Sequence, residues 1–292
     1  MATAHNLTGP VTHHGEGPVW HESYGGLRVV DLQAGDLVTL TDDGVRRRHV
    51  GEVAAFHRPR VGGGFVVALR DRLAVADTDD GPLRELAPVW PEPGVRFNDG
   101  GCSPDGTLYG GSMADDQAEG AARLYRFGPD GTPEVVEPSV TVSNGIAFAP
   151  DGRRAYYNDT PTGHVDVYDN EGDRLVRRRH LTAVDRGYPD GLTVDAEGGV
   201  WVALFAGSAV RRYSPEGELT AELELPVSQP TAVTFGGPDL ATLFVTTSRE
   251  GLPEGEEPDA GSVFALDPGV RGLPVLAARL LTASHPPAAA HA

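Results

Sequence analysis

Four polar side chains stand immediately before a glycine along this chain: Glu16 before Gly17, Asp99 before Gly100, Asn144 before Gly145, and Asp190 before Gly191. Asn98 adds a second amide beside Asp99. Carboxylates gathered in one volume repel unless a cation lies between them. Oxygen donors from Asp, Glu and Asn suit one hard divalent cation, Ca2+ first, then Mg2+ or Mn2+; Zn2+ would be better matched by histidine. The same dipeptides are also ordinary turn formers at strand entries. Spacing alone leaves the two readings level. What separates them is whether the four positions are equivalent in the fold.

The chain is a repeat, which makes them equivalent. Glycine (38) and proline (24) are spread evenly over the 292 residues, and no stretch keeps a 3.6-residue apolar period. Short apolar strands alternate with Asp, Gly and Pro turns instead. First hairpins lie at 17–32, 54–70, 100–113, 145–160, 191–205 and 232–248, each followed by a second turn: DDG 42–44, DDG 79–81, PDG 129–131, NEG 170–172, PEG 215–217 and DPG 267–269. The glycines of the first and last turns, Gly44 and Gly269, are five repeats apart, so the period is 45 residues. Two hairpins per period predict an all-β, six-bladed β-propeller with four antiparallel strands per blade. Such a blade buries its faces only against its neighbours, so the ring must close. Residues 6–12 are the strand expected to join the last blade. The fold is read as a single domain over 1–283, with 284–292 a frayed tail. The polar-before-glycine register then lies where the innermost strands begin, at the mouth of the central channel. Ala54 and Thr231 stand near the equivalent place in the other two units.

Composition narrows the chemistry. With 42 acidic and 24 basic residues the formal charge is −18, which argues against nucleic acid or anionic membrane as a partner. There is no lysine, so Schiff-base chemistry and a P-loop are excluded. One cysteine, Cys102, permits no internal disulfide and no cysteine-built metal site. No apolar run reaches bilayer length and the N-terminus lacks the pattern of a secretory signal, so a cytoplasmic protein is expected. No G-x-S-x-G, H-E-x-x-H or strand-linked G-x-G-x-x-G occurs. His13 and His14 read as a solvated loop before the first strand, and the two RRRH runs (46–49, 177–180) as solvated outer strands. Trp20 and Trp201 read as blade packing in matching strand contexts. Asn158-Asp159-Thr160 fits a glycosylation sequon, which carries no meaning without a secretory signal.

The motifs GEGPVW (15–20), RFNDG with SPDGTLYGGSM (96–113), SNGIAFAPDG (143–152), YPDGLTVDAEGGVWVA (188–203) and FGGPDLATLFVTTS (235–248) resemble the senescence marker protein-30/gluconolactonase/luciferin-regenerating enzyme family, in order and over nearly the whole chain. The resemblance implies a six-bladed propeller with one central divalent metal and sugar-acid lactonases among its members. It implies Glu16, Asn144 and Asp190 as metal ligands and Asp190 as general base. Arg96 and Asn98 match positions that contact substrate, although in more distant relatives an asparagine in this region ligates the metal. Asp116 falls where a glutamate contacts substrate hydroxyls, and the loop 113–122 is short, which would leave the mouth more open.

The function expected is therefore metal-dependent opening of a sugar-acid lactone, a small-molecule substrate, by a monomer or weak homo-oligomer. The cation would polarise the carbonyl, Asp190 would take a proton from water, and Arg96 would orient hydroxyl or carboxyl groups. Two alternatives stand beside it. One is a promiscuous esterase or organophosphate hydrolase using the same site; the other is a non-catalytic Ca2+-binding propeller.

Overall fold

The computed structural model describes residues 4–172 and 174–281. The segment 284–292 lies outside the described residues. Among them are six four-stranded antiparallel sheets, each in contact with the next around a closed ring. The innermost strands are Gly15–His21 in blade one, Phe56–Pro59 in blade two, Val95–Cys102 in blade three, Ser143–Phe148 in blade four, Tyr188–Val194 in blade five, and Pro230–Gly236 in blade six. The only helical segments described are two three-residue 3-10 turns, Glu22–Tyr24 and Thr160–Thr162. No helix among these residues is long and apolar enough to cross a membrane.

The ring closes as the leftover N-terminal strand suggests. His5–Pro10 pairs antiparallel with Ser262–Leu266 and becomes the outermost strand of blade six. One feature of the repeat differs. The DPG turn at 267–269 does not lead into a paired outer strand, because the N-terminal strand already fills that place. The chain instead runs beneath the ring. Ala196 N–H donates to Arg271 carbonyl, Ala278 N–H to Pro59 carbonyl, and Leu281 N–H to Pro129 carbonyl. This strap ties blades five, two and three together.

The core lies between blades. Phe56 of blade two meets Phe97 of blade three edge-on, with ring centroids 6.0 Å apart. Both are fully buried, and each such side chain contributes about 1.5–3 kcal/mol through burial. Trp20 and Trp201 occupy different contexts, contrary to their similar flanks. Trp20 lies in an innermost strand and stacks on Phe244 of blade six; Trp201 lies in a second strand and donates its indole N–H to Asp195 Oδ2 at 2.8 Å. Both RRRH runs lie on outer strands, largely exposed.

Candidate metal and substrate site

Five of the six innermost strands break register at the same place. The shifts fall between Glu16 and Val19, Phe97 and Gly100, Ser143 and Ile146, Pro189 and Leu192, and Pro230 and Val233. An extra residue in one strand re-aims the side chains around it. Here the first bulge starts directly after Glu16, and the others contain Asp99, Asn144, Asp190 and Thr231, so the register positions lie at or in a bulge in each blade. The following glycine has a packing cause. A Cβ on Gly145 would lie 2.4 Å from the backbone nitrogen of Leu192, and one on Gly191 would lie 2.4 Å from the Cβ of Ala232. Adjacent inner strands touch there only because no side chain intervenes. Blade two has no such bulge; its strand begins after buried Ala54 and Ala55.

The result is a buried acidic floor. Glu16, Asn144, Asp190 and Asp99 are all buried. Glu16 Oε2 accepts from Gly17 N–H at 2.9 Å, and Asp99 Oδ1 from Gly100 N–H at 2.7 Å. Burial, and then repulsion from Asp190 and Asp99, holds the Glu16 carboxyl well above the usual range. Burial and the Asp99 charge raise Asp190 likewise, opposed by its hydrogen bonds from Asn144 and Gly191. Asp99 is raised by burial, with Arg58 and the Gly100 N–H opposing.

These groups fit a divalent cation. No set of three His, Cys, Asp or Glu side chains among the described residues is gathered tightly enough to hold one alone. An amide oxygen would have to complete the set. Asn144 Oδ1 is buried and lacks a hydrogen-bond partner, while its Nδ2 is engaged with Thr160 Oγ1 at 3.0 Å. A buried orphan acceptor beside repelling carboxylates is the arrangement a hard cation relieves.

The supporting residues include a tripeptide that the sequence offered only as a sequon. Asn158 is fully buried and donates to the Asp190 carbonyl at 2.5 Å. Asp159 Oδ1 receives the N–H groups of Thr141 (3.1 Å) and Val142 (3.0 Å), fixing the entry to Ser143 and Asn144. Thr160 holds the Asn144 amide. Blade one repeats the clamp: Asp31 Oδ1 receives the N–H groups of His13 (2.9 Å) and His14 (3.2 Å) just before Glu16. Each clamp stands fifteen positions beyond its site residue, Asp31 after Glu16 and Asp159 after Asn144. That equal spacing was the signal available in the sequence.

Arg96 lies beside the floor, close enough to act on Glu16. Its guanidinium donates to the Phe97 carbonyl and to Asn98 Oδ1, both at 2.9 Å, and Asn98 Nδ2 donates to the Ser143 carbonyl at 3.0 Å. Guanidinium only donates and carbonyl only accepts, so both contacts fix the same amide orientation. Asp116 is exposed and its Oδ1 caps the N–H of Ala118 in its own turn. Its neighbour Asp115 is the residue that acts on Arg96, together with Glu250.

His14 is buried rather than solvated, which corrects the reading of the 13–14 loop. Its Nδ1 is 2.8 Å from Ser248 Oγ and 3.2 Å from Glu250 Oε2, both brought by blade six. Burial lowers its pKa to about 4, with Glu250 opposing.

The family described as the SMP-30/Gluconolactonase/LRE-like region matches residues 14–249. The chain belongs to this family. It is 35% identical over 281 residues to pentonolactonase XacC of Haloferax volcanii, covering 89% of this chain and 92% of the relative. It is 36% identical over 269 residues to a 6-deoxy-6-sulfogluconolactonase of Pseudomonas putida, covering 88% and 92%. Among solved structures, a luciferin-regenerating enzyme superposes with a TM-score of 0.89 at 28% identity, covering 96% of this chain and all of that one. A regucalcin of Agrobacterium tumefaciens, described as a calcium-binding protein, gives 0.86 at 27% identity, covering 93% and 95%.

Within this SMP-30-like chain the matched region contains the whole acidic floor, Arg96 and Asn98, and both aspartate clamps. A cavity of about 420 Å3 lies further down the same inner strands, roofed by the strap residues Leu273–Ala277. Among the described residues, Arg58 is the only charged one lining it.

Proposed function

We propose that this chain opens a sugar-acid lactone by hydrolysis, with Glu16, Asn144 and Asp190 holding one divalent cation, Ca2+ first and Mg2+, Mn2+ or Zn2+ as alternatives. The observation that carries the reading is the orphan Asn144 Oδ1 among three buried carboxylates, with an arginine beside them. The lactonase names of its relatives support the activity, and the calcium-binding description of the Agrobacterium regucalcin supports the ion. A cation bound there supplies Lewis-acid polarisation of the ester carbonyl.

The chain's own residues do the rest. Burial keeps the effective dielectric low, so fixed charges act strongly on the carbonyl oxygen. Arg96, braced by Asn98, orients ring or hydroxyl oxygens through its fork of donors. Asp190 is the general base and takes a proton from the attacking water. Without a cation, burial and the Asp99 charge raise its proton affinity; a bound cation would lower it again, so much of the drive would come from a more acidic attacking water. Water adds across the ester C–O bond, and the hydroxy acid formed releases a proton.

That proton is the assay. Chelator-stripped protein is given each metal separately and tested on glucono-, galactono- and xylono-lactone, with an aryl ester alongside. The expected outcome is metal-dependent acid release on lactones, absent in Glu16→Gln. Cation binding without any hydrolysis would instead favour a non-catalytic binding propeller.

A further inference from the structure

Blade two brings no oxygen donor to the floor. Where the other innermost strands place Glu16, Asp99, Asn144, Asp190 and Thr231, it has buried Ala54 and Ala55. It brings a cation from below instead. Arg58 lines the cavity beneath the floor, where the other five blades contribute Val19, Cys102, Ile146, Leu192 and Val233. Its Nη1 donates to the His57 carbonyl at 2.7 Å, and its Nη2 crosses to blade three and donates to the Gly100 carbonyl. Gly100 in turn donates its N–H to Asp99 Oδ1 at 2.7 Å. The guanidinium is therefore anchored to the residue that follows the floor carboxylate of blade three. The two blades meet here without a side chain between them, since a Cβ on Gly100 would lie 2.5 Å from Phe56 Cζ.

A half-buried guanidinium keeps its charge, and a charge without a counter-ion is unfavourable there. Among the described residues Arg58 forms no ion pair, and neither does Asp99. The two answer each other through space: burial raises the Asp99 carboxyl, and the Arg58 charge is the first influence opposing it. Arg96 is answered differently, by the rim carboxylates Glu250 and Asp115 ahead of Glu16. We propose that Arg58 is a resident cation beneath the floor, countering Asp99 while the site is empty and setting which ionic charge the floor prefers. The inference rests on the cation site proposed above, and it gives blade two a part in that site. A fixed positive charge opposes an incoming ion in proportion to that ion's own charge. Arg58 therefore disfavours a trivalent ion more than a divalent one, against three buried carboxylates that would otherwise reward the higher charge.

Calorimetric titration of chelated protein with Ca2+ and with La3+ tests this through binding rather than turnover. Arg58→Gln removes the charge and keeps a donor for the Gly100 carbonyl. Its affinity should rise about tenfold for Ca2+ and about thirtyfold for La3+, because the Coulomb energy follows the charge of the ion. Changes in the empty floor are common to both ions, so the roughly threefold gain in preference for La3+ isolates the charge. Arg58→Met, whose side chain suits the apolar channel, should give the same gain and stands in if the Gln variant folds poorly. Arg58→Lys keeps the charge and loses the fork, so its preference should stay that of wild type. Equal shifts for the two ions in the uncharged variants, or a Lys variant that follows them, would reduce Arg58 to a strut between blades and overturn the proposal alone. A wild type that binds neither ion overturns the cation site and this proposal with it.

Discussion

Arg96 donates to Asn98 Oδ1 at 2.9 Å, and Asn98 in turn donates to the Ser143 carbonyl of the next blade at 3.0 Å. Asn98 is thus a strut between the Arg96 guanidinium and the residue that precedes Asn144. Its oxygen already accepts from Arg96, which supports reading it as a positioning group and leaves the ligand reading to the test below.

Asn98→Ala should therefore raise KM for the lactone about tenfold, the equivalent of one lost charge-assisted hydrogen bond, with a smaller change in kcat. Cation binding, read as the thermal shift on adding Ca2+, should persist. Asn98→Asp keeps the acceptor for Arg96 and loses the donor to Ser143, so it should fall between. Loss of the Ca2+ shift in Asn98→Ala would make Asn98 a ligand.

Glu16→Gln should separate binding from stability. Glu16 and Asp190 have folded-state pKa values raised above their unfolded ones by burial and then by repulsion from neighbouring carboxylates, Asp190 and Asp99 for Glu16 and Asp99 for Asp190. A raised carboxyl contributes stability that is full below about pH 4.5 and lost as pH rises through the folded pKa. Chelated protein should then lose Tm between pH 5 and pH 8, and a divalent cation should restore it. Chelated Glu16→Gln lacks one of the repelling charges, so at pH 7.5 it should melt about 2–5 °C above chelated wild type, yet gain nothing from cation. A chelated variant that melts lower would show that the carboxylates are not in conflict.

The aspartate clamps offer a third test. Asp159→Ala frees two N–H groups just before Asn144. Unsatisfied buried donors cost about 1–3 kcal/mol, so Tm should drop and cation affinity with it. Asp159→Asn retains an acceptor and should recover much of both. Asp31→Ala should do the same through Glu16. Unchanged cation affinity in both alanine variants would confine the clamps to stability.

Much of this was legible because it is periodic. Glycine turns recur at a mean spacing of 45 residues, and a polar residue before glycine recurs at one register, so blade count and floor could be read together. Ring closure was legible because residues 6–12 had strand character and no partner. What escaped depends on contacts that cross blades. Glu250 reaches His14 from the opposite end of the chain, so a histidine pair with polar flanks looked like solvated loop. Asp31 and Asp159 end apolar strands, where aspartate looks like a turn former. The DPG turn obeyed the repeat, yet its following segment was displaced by the N-terminal strand and became the strap. Asp115 and Asp116 are adjacent, and sequence alone did not show which would face Arg96.

Acid sensitivity should trace in part to His57. Its ring is fully buried against Tyr24, with Nε2 3.3 Å from the Arg28 carbonyl and Nδ1 unpartnered. Burial, then the charges of Arg28 and Arg58, holds its pKa well below the usual value. The folded ring stays neutral while the unfolded one takes a proton below about pH 6.5, so the stability at stake is full above that pH and lost as pH falls. His14, lowered to about 4, acts with the same sign between 6.5 and 4. The floor carboxylates act oppositely when empty, so the measurement uses cation-loaded protein. Under those conditions His57→Phe and His57→Gln should flatten the loss of unfolding free energy between pH 6.5 and 5 by up to about 1.4 kcal/mol per pH unit, the slope of one proton. Denaturant melts across that range read the slope directly, and identical slopes in wild type and both variants would place the acid sensitivity elsewhere.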